Sequence, residues 1–166
     1  MSKTLFILIG LKGSGKTFIG KIIEENLHIP FLRVENIFLK IKKDRHYLDK
    51  DYIKEGFELL ETEIRNQLKE NPKLIIETTG TADEFWDMIN NLKKDFKVKF
   101  IKVQTNPELC IQRFLNRDNK DHINVSDKDV RMINELADKV DCDYDIIIEN
   151  DNADAEEILK KIKALM

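Results

Sequence analysis

Eight residues near the start of the chain constrain its fold more than any other feature. Gly10-Leu11-Lys12-Gly13-Ser14-Gly15-Lys16-Thr17 satisfies the pattern G-x-x-x-x-G-K-[ST]. The apolar run Thr4–Ile9 ends directly before it, and the helically periodic stretch Lys16–Leu27 overlaps its end. Strand, glycine-rich turn and helix in that order make an anion site. Glycines let successive backbone N–H groups turn inward on phosphate oxygens, and the helix start behind them adds partial positive charge. Lys16 reaches the outer phosphates of a bound triphosphate, and the Thr17 hydroxyl ligates Mg2+. The nucleotide-binding set expected here is Gly10 through Phe18. No Asn/Thr-Lys-x-Asp guanine-reading motif occurs in the C-terminal half, which favours ATP.

Glycine is scarce elsewhere. Four of the six fall at positions 10, 13, 15 and 20, and the others are Gly56 and Gly80. The 166 residues are 42% apolar, enough for one globular domain with a real core. A net charge of −3 disfavours general nucleic-acid binding, although a local basic patch remains compatible with it. Two cysteines, Cys110 and Cys142, build neither a disulfide scaffold nor a four-cysteine zinc site. No run approaches the about 20 apolar residues that span a bilayer, and Leu5–Ile9 is too short for a signal-peptide core. The expectation is a cytoplasmic protein, monomer or homodimer, with ATP and a small-molecule acceptor as partners and no membrane association.

Strands and helices alternate along the chain. Strands are expected at 4–9, 31–34, 73–77, 98–103 and 144–148. Helices are expected at 16–27, across 35–70 with a break near 46–50, and at 83–94, 107–116, after Ser126, and 153–165. In the helix after Ser126, Val130, Ile133 and Leu136 are expected to point inward. Such alternation means an α/β fold with a mainly parallel sheet and a ligand at the carboxyl ends of its strands.

Carboxylates at strand ends are the next candidates. Glu77 closes Leu74-Ile75-Ile76-Glu77, where it can hold Mg2+ through water or serve as an ordinary strand-end polar residue. Thr78-Thr79-Gly80 then forms a tight turn that brings backbone close to an acceptor. Glu35 can act as general base, as an outer metal group, or as a carboxylate favoured by a helix start. Arg113 and Arg117 share a helix face, and the polar loop after them can close on a triphosphate as a lid at about 116–126. Lys40, Lys42, Lys43, Arg45 and His46, preceded by Arg33, form either an anion-binding cluster or a solvated helix face. A nucleic-acid-end or nucleotide kinase, and an ATP-binding regulatory module, are the alternatives to a small-molecule kinase.

The chain resembles the small P-loop kinases. It is most similar to their shikimate-kinase-like branch, through Gly10-x-x-Gly13-x-Gly15-Lys16-Thr17-x-x-Gly20. The resemblance implies a three-layer P-loop NTPase fold with a five-stranded parallel sheet in order 2-3-1-4-5. It also implies an acceptor-binding subdomain at about 33–70. Arg113 matches the family arginine near adenine, and Arg117 the lid arginine that meets the phosphates. The stretch around Glu149–Ala153, with Asn150, matches the loop flanking the base. The residues expected around the acceptor are Arg33, Glu35, Thr78, Thr79 and Gly80. Where the family carries Asp-x-Asp after strand two, this chain reads Arg33-Val34-Glu35; its glycine triplet after strand three is replaced by Glu77-Thr78-Thr79-Gly80.

Overall fold

Continuous apolar runs, rather than alternating ones, require a sheet covered on both faces, and that is the architecture observed. The computed structural model describes residues 2–166. Strand β1 (Thr4–Ile9) is buried from Leu5 to Ile9, and its side chains divide between two cores. Leu5, Ile7 and Ile9 join one apolar cluster, while Phe6 and Leu8 join the other, as the two-residue repeat of a strand demands. Replacing a fully buried residue such as Ile7 by Ala is expected to cost about 2–5 kcal/mol.

After β1 come α1 (Lys16–Leu27), β2 (Phe31–Leu32), α2 (Val34–Lys42), α3 (Lys50–Glu70), β3 (Lys73–Thr78) and α4 (Asp83–Leu92). Then follow β4 (Lys97–Gln104), α5 (Pro107–Leu115), α6 (Asp127–Asp138), β5 (Ile146–Glu149) and α7 (Ala155–Leu165). The five strands lie in the order β2-β3-β1-β4-β5, and every pairing is parallel. Helices α2, α3 and α4 contribute to the core on one face, and α1 and α7 to that on the other. The strand order reverses direction at β1, between β3 and β4. Its carboxyl end is therefore the crevice where an open parallel sheet binds its ligand.

Local sequence explains the helix boundaries. Asp49 caps α3 by accepting from the Tyr52 N–H at 2.8 Å. Asn106 accepts from the N–H groups of Glu108 and Leu109, with Pro107 at the first helical position of α5. Ser126 caps α6 through the Asp129 N–H at 3.2 Å. Asp154 takes the capping position of α7, so that helix starts at Ala155 instead of Ala153.

Three further expectations need correction. The second strand is two residues long because Arg33 already caps α2. The last strand starts at Ile146, not Tyr144. Leu136 is 51% exposed, whereas Val130, Asn134 and Ala137 are buried. Spacings of four and seven residues put those three on one stripe, and Leu136 falls beside it.

Candidate active site

The loop from Gly10 to Thr17 joins β1 to α1. Gly13 and Gly15 adopt φ of 84° and 96°, a left-handed conformation that a side chain would strain. A Cβ at Gly13 would also strike the backbone carbonyl of Cys110. Lys16 is buried, and its ammonium donates to the carbonyls of Gly10 at 2.9 Å and Leu11 at 2.7 Å. Burial draws the Lys16 ammonium down to about 8, with Glu77 acting the other way. Burial is also the leading cause that lowers Lys12. The buried Ser14 hydroxyl has no hydrogen-bond partner in the protein. Phe18 begins the outward face of α1 and is 54% exposed.

Distant side chains hold the loop in shape. Asn134 of α6 accepts from the Lys12 N–H at 2.8 Å and donates to the Lys12 carbonyl at 3.1 Å. The Ser14 carbonyl accepts from the Thr105 hydroxyl at 2.9 Å and from the Asn150 amide at 2.8 Å. Asn150 thus reaches the loop itself. Neither Asn134 nor Thr105 stands out in the sequence. The one available signal for Asn134 is a polar residue on the apolar stripe of an amphipathic helix.

Thr17 and Glu77 form the next unit. The Thr17 hydroxyl lies 2.9 and 3.1 Å from the two carboxylate oxygens of Glu77, to which it donates. Glu77 is buried at the end of β3, beside Leu8 in the sheet register. These are hard oxygen donors of the kind Mg2+ takes. Among the described residues no group of three or more His, Cys, Asp or Glu side chains gathers around a metal position. A cation held by Thr17 and Glu77 would complete its shell from phosphate oxygens and water.

Glu35 sits in the first turn of α2 and faces the loop between α5 and α6. Its carboxylate accepts from the Ile123 N–H at 3.1 Å, and it lies 3.1 and 3.2 Å from His122 Nδ1. Burial works to raise the Glu35 pKa, but Lys12, His122 and the Ile123 N–H together hold it below the usual glutamate value. Arg33 does not line the cavity described below; one of its guanidinium nitrogens points at the Asp121 carbonyl, 3.5 Å away.

The two arginines on the shared helix face diverge in their contacts. Arg113 donates to the carbonyls of Asn150 at 3.1 Å and Asp151 at 3.0 Å, tying α5 to the loop after β5. Arg117 lies over the Phe114 ring at 4.1 Å and donates to Asn119 at 3.3 Å. One Arg117 nitrogen, Nη2, is buried without a partner. In the turn after β3, the Thr78 hydroxyl accepts from the Gly80 N–H, and the Thr79 and Thr81 hydroxyls are 3.0 Å apart. Gly80 has φ of 73°; its carbonyl accepts from the Trp86 indole, and the residue packs away from the cavity.

A cavity of about 440 Å³ brings most of these groups together. Lys12, Gly13, Gly15, Lys16 and Thr17 line one end with Glu77, Arg113 and Arg117, while Glu35, His122, Thr78 and Thr79 line its middle. A larger cavity, about 720 Å³, lies against Gly10 and Leu11 and the end of β4. It touches none of Gly13, Gly15, Lys16 and Thr17, so the smaller one is the candidate site.

An anion cradle at the reversal point of a 2-3-1-4-5 parallel sheet, faced by an arginine-bearing loop, defines the class of small P-loop kinases. Within that class the chain belongs to the shikimate kinase family, whose model matches residues 12–166. It is 29% identical to a shikimate kinase of Dictyoglomus turgidum over 165 residues, covering 93% of this chain and 92% of that one. It is 28% identical to a shikimate kinase of Bacteroides thetaiotaomicron over 107 residues, 64% of this chain and 60% of that protein's length. The crystal structure of shikimate kinase from Aquifex aeolicus shares the fold, with a TM-score of 0.61 at 20% identity over 96% of this chain and 94% of the other. Family membership makes the protein an ATP-dependent kinase. Among the described residues no helix is long and apolar enough to cross a membrane.

Proposed function

We propose that this kinase moves the γ-phosphoryl group of Mg-ATP to a hydroxyl of a small molecule held in the 440 Å³ cavity. The observation that carries this reading is the opposition, across one cavity, of a phosphate cradle and a carboxylate. Lys12, Gly13, Gly15, Lys16 and Thr17 line it from the phosphate loop, and Glu35 from the first turn of α2.

In this reading the loop amides and Lys16 bind the outer phosphates, and Thr17 with Glu77 holds Mg2+. Bound Mg-ATP supplies the phosphoryl donor and the divalent charge that offsets developing negative charge. Arg117, with its unpartnered buried nitrogen, offers the phosphates a further donor. Arg113 and Asn150 shape the edge on which the base rests. Glu35 orients the acceptor hydroxyl and takes its proton, and His122 and the Ile123 N–H keep the carboxylate in place. Residues 33–70 form the acceptor-binding part. The segment 116–126 is the lid, and its contact with Glu35 excludes water from the reacting groups.

The test is transfer of label from γ-labelled ATP into a pooled panel of sugars, sugar acids, shikimate, nucleosides, nucleotides and 5′-hydroxyl oligonucleotides. Lys16→Ala serves as the blank. A labelled product that vanishes in the variant supports the reading. A product that persists in Lys16→Ala would overturn it.

A further inference from the structure

We infer that the acceptor is an uncharged alcohol with an apolar body, not a hydroxy acid or a phosphorylated compound. The inference rests on the kinase reading above and deepens it, and the distribution of chemistry along the cavity carries it. The lysines and arginines that line the cavity are Lys12, Lys16, Arg113 and Arg117, from the phosphate loop, α5 and the residues just after it, and none comes from α2, α3 or the turn between them. The wall built by α2, α3 and the turn between them presents Val34, Phe38, Leu48, Tyr52, Ile53 and Phe57, with Tyr47, whose hydroxyl donates to Asp129.

That wall is preformed. The Phe38 ring meets Tyr52 edge-on at 5.5 Å and Phe57 at 5.2 Å. The Tyr52 hydroxyl donates to the Phe38 carbonyl at 3.0 Å, so its polar tip is already satisfied within the wall. Gly56 packs directly beneath the Phe38 ring, where a Cβ would collide with it. These rings are held in place by one another and present an apolar surface.

A carboxylate or phosphate on the acceptor would find no partner there. The two nearby arginines of the chain's basic stretch do not line the cavity. Arg45 pairs with Glu55 at 2.5 Å and donates to the Ile41 carbonyl, and Arg33 turns toward the lid at Asp121. Between wall and cradle stands Glu35, held as a carboxylate. It repels an anionic acceptor and accepts from a hydroxyl. Burying an unpaired charge against this wall costs far more than burying an uncharged group of the same shape.

Matched pairs of probes separate the cases. The full chain, saturated with Mg2+ and a non-hydrolysable ATP analogue, is titrated with shikimate and its methyl ester. It is then titrated with 4-(hydroxymethyl)benzoic acid and its methyl ester. The expected result is tighter binding of the ester in each pair, by about tenfold or more. A lysine on the wall should move that preference toward the acid by a similar factor. Ile53→Lys is the first such variant, and Leu48→Lys, at a more exposed place on the same wall, serves if Ile53→Lys does not fold. Acids that bind as tightly as their esters would overturn the inference and leave the kinase reading standing, as would esters that fail to bind at millimolar concentration. Failure of the ATP analogue itself to bind would overturn both.

Discussion

Glu35 and His122 are 87 positions apart in the chain and 3.1 Å apart in the fold. One belongs to the first turn of α2 and the other to the loop between α5 and α6. With the Ile123 N–H on the same carboxylate, the pair ties the loop between α5 and α6 to the start of α2. Both side chains are about four-fifths buried, so the contact is less screened than a surface pair. A double-mutant cycle with Glu35→Ala and His122→Ala, read by urea unfolding, should give a coupling of about 1 kcal/mol. The pH dependence has a definite sign. Because the folded pKa of Glu35 is lowered from 4.5, its contribution is present above that value and is lost as pH falls through the lower, folded one. The stability difference between wild type and Glu35→Gln should therefore shrink in acid. Additive single variants would show that α2 and the loop between α5 and α6 are not energetically joined.

Lys16 gives a second pH signature at the other end of the scale. Its folded pKa is about 8, against 10.5 for the free side chain. Between those values the unfolded chain binds more protons, so this group's effect is to raise stability as pH rises from about 8 toward 10.5. Nucleotide affinity should run the opposite way. Phosphate anions favour the charged ammonium, so Mg-ATP binding should weaken above pH 8, approaching about tenfold per pH unit once Lys16 is mostly neutral. Calorimetric titration with a non-hydrolysable analogue across this range measures it. In Lys16→Met the binding should be weak and this component of the pH dependence absent; a slope equal to wild type would assign the titration to another group.

The parts of the site legible in the sequence are those whose function is local. A phosphate loop announces itself because its glycines, lysine and threonine must be adjacent to wrap one anion. The position of Glu77 beside Thr17 was readable for a similar reason, since a strand of a parallel sheet delivers its carboxyl end to a fixed place. The α/β class followed from apolar runs separated by helices, and the strand order came from the family likeness alone. What was illegible depends on tertiary contacts alone. His122 sits in a polar loop with no distinguishing spacing, and only the approach of that loop to α2 gives it a partner. Asn134 lies in α6, which the sequence reading oriented toward Leu136, so its inward direction went unseen.

Asn134 yields a prediction of its own. Its amide completes both hydrogen-bonding groups of Lys12, one donated and one accepted, from 122 positions away. Those bonds hold the front of the phosphate loop without touching Lys16 or Thr17 directly. Asn134→Ala should leave the sheet intact but lower affinity for Mg-ATP by about tenfold, since the cradle must then be ordered on binding. Asn134→Asp keeps an acceptor for the Lys12 N–H but loses the donor to its carbonyl, and should fall between. Isothermal titration alongside far-UV circular dichroism separates this from general unfolding. Affinity unchanged in Asn134→Ala would mean the loop is preorganised without it.

Gly20 sets two known effects against each other. Replacing glycine by alanine inside a helix normally gains about 1 kcal/mol. At this position a Cβ would lie 2.6–2.7 Å from three carbons of the Phe31 ring. Phe31 cannot easily yield: it is buried, its N–H donates to Glu24 at 3.0 Å, and it pairs with Ile75 in the sheet. Overpacking of this kind costs about 1–3 kcal/mol, enough to offset the helix gain and more. Gly20→Ala should therefore destabilise the protein by about 1 kcal/mol in urea unfolding, against the usual direction. The Phe31→Leu background reverses the expectation. With the ring gone the added methyl enters open space, and Gly20→Ala should become stabilising there. If the alanine has the same effect in both backgrounds, the contact with Phe31 is not what makes glycine necessary.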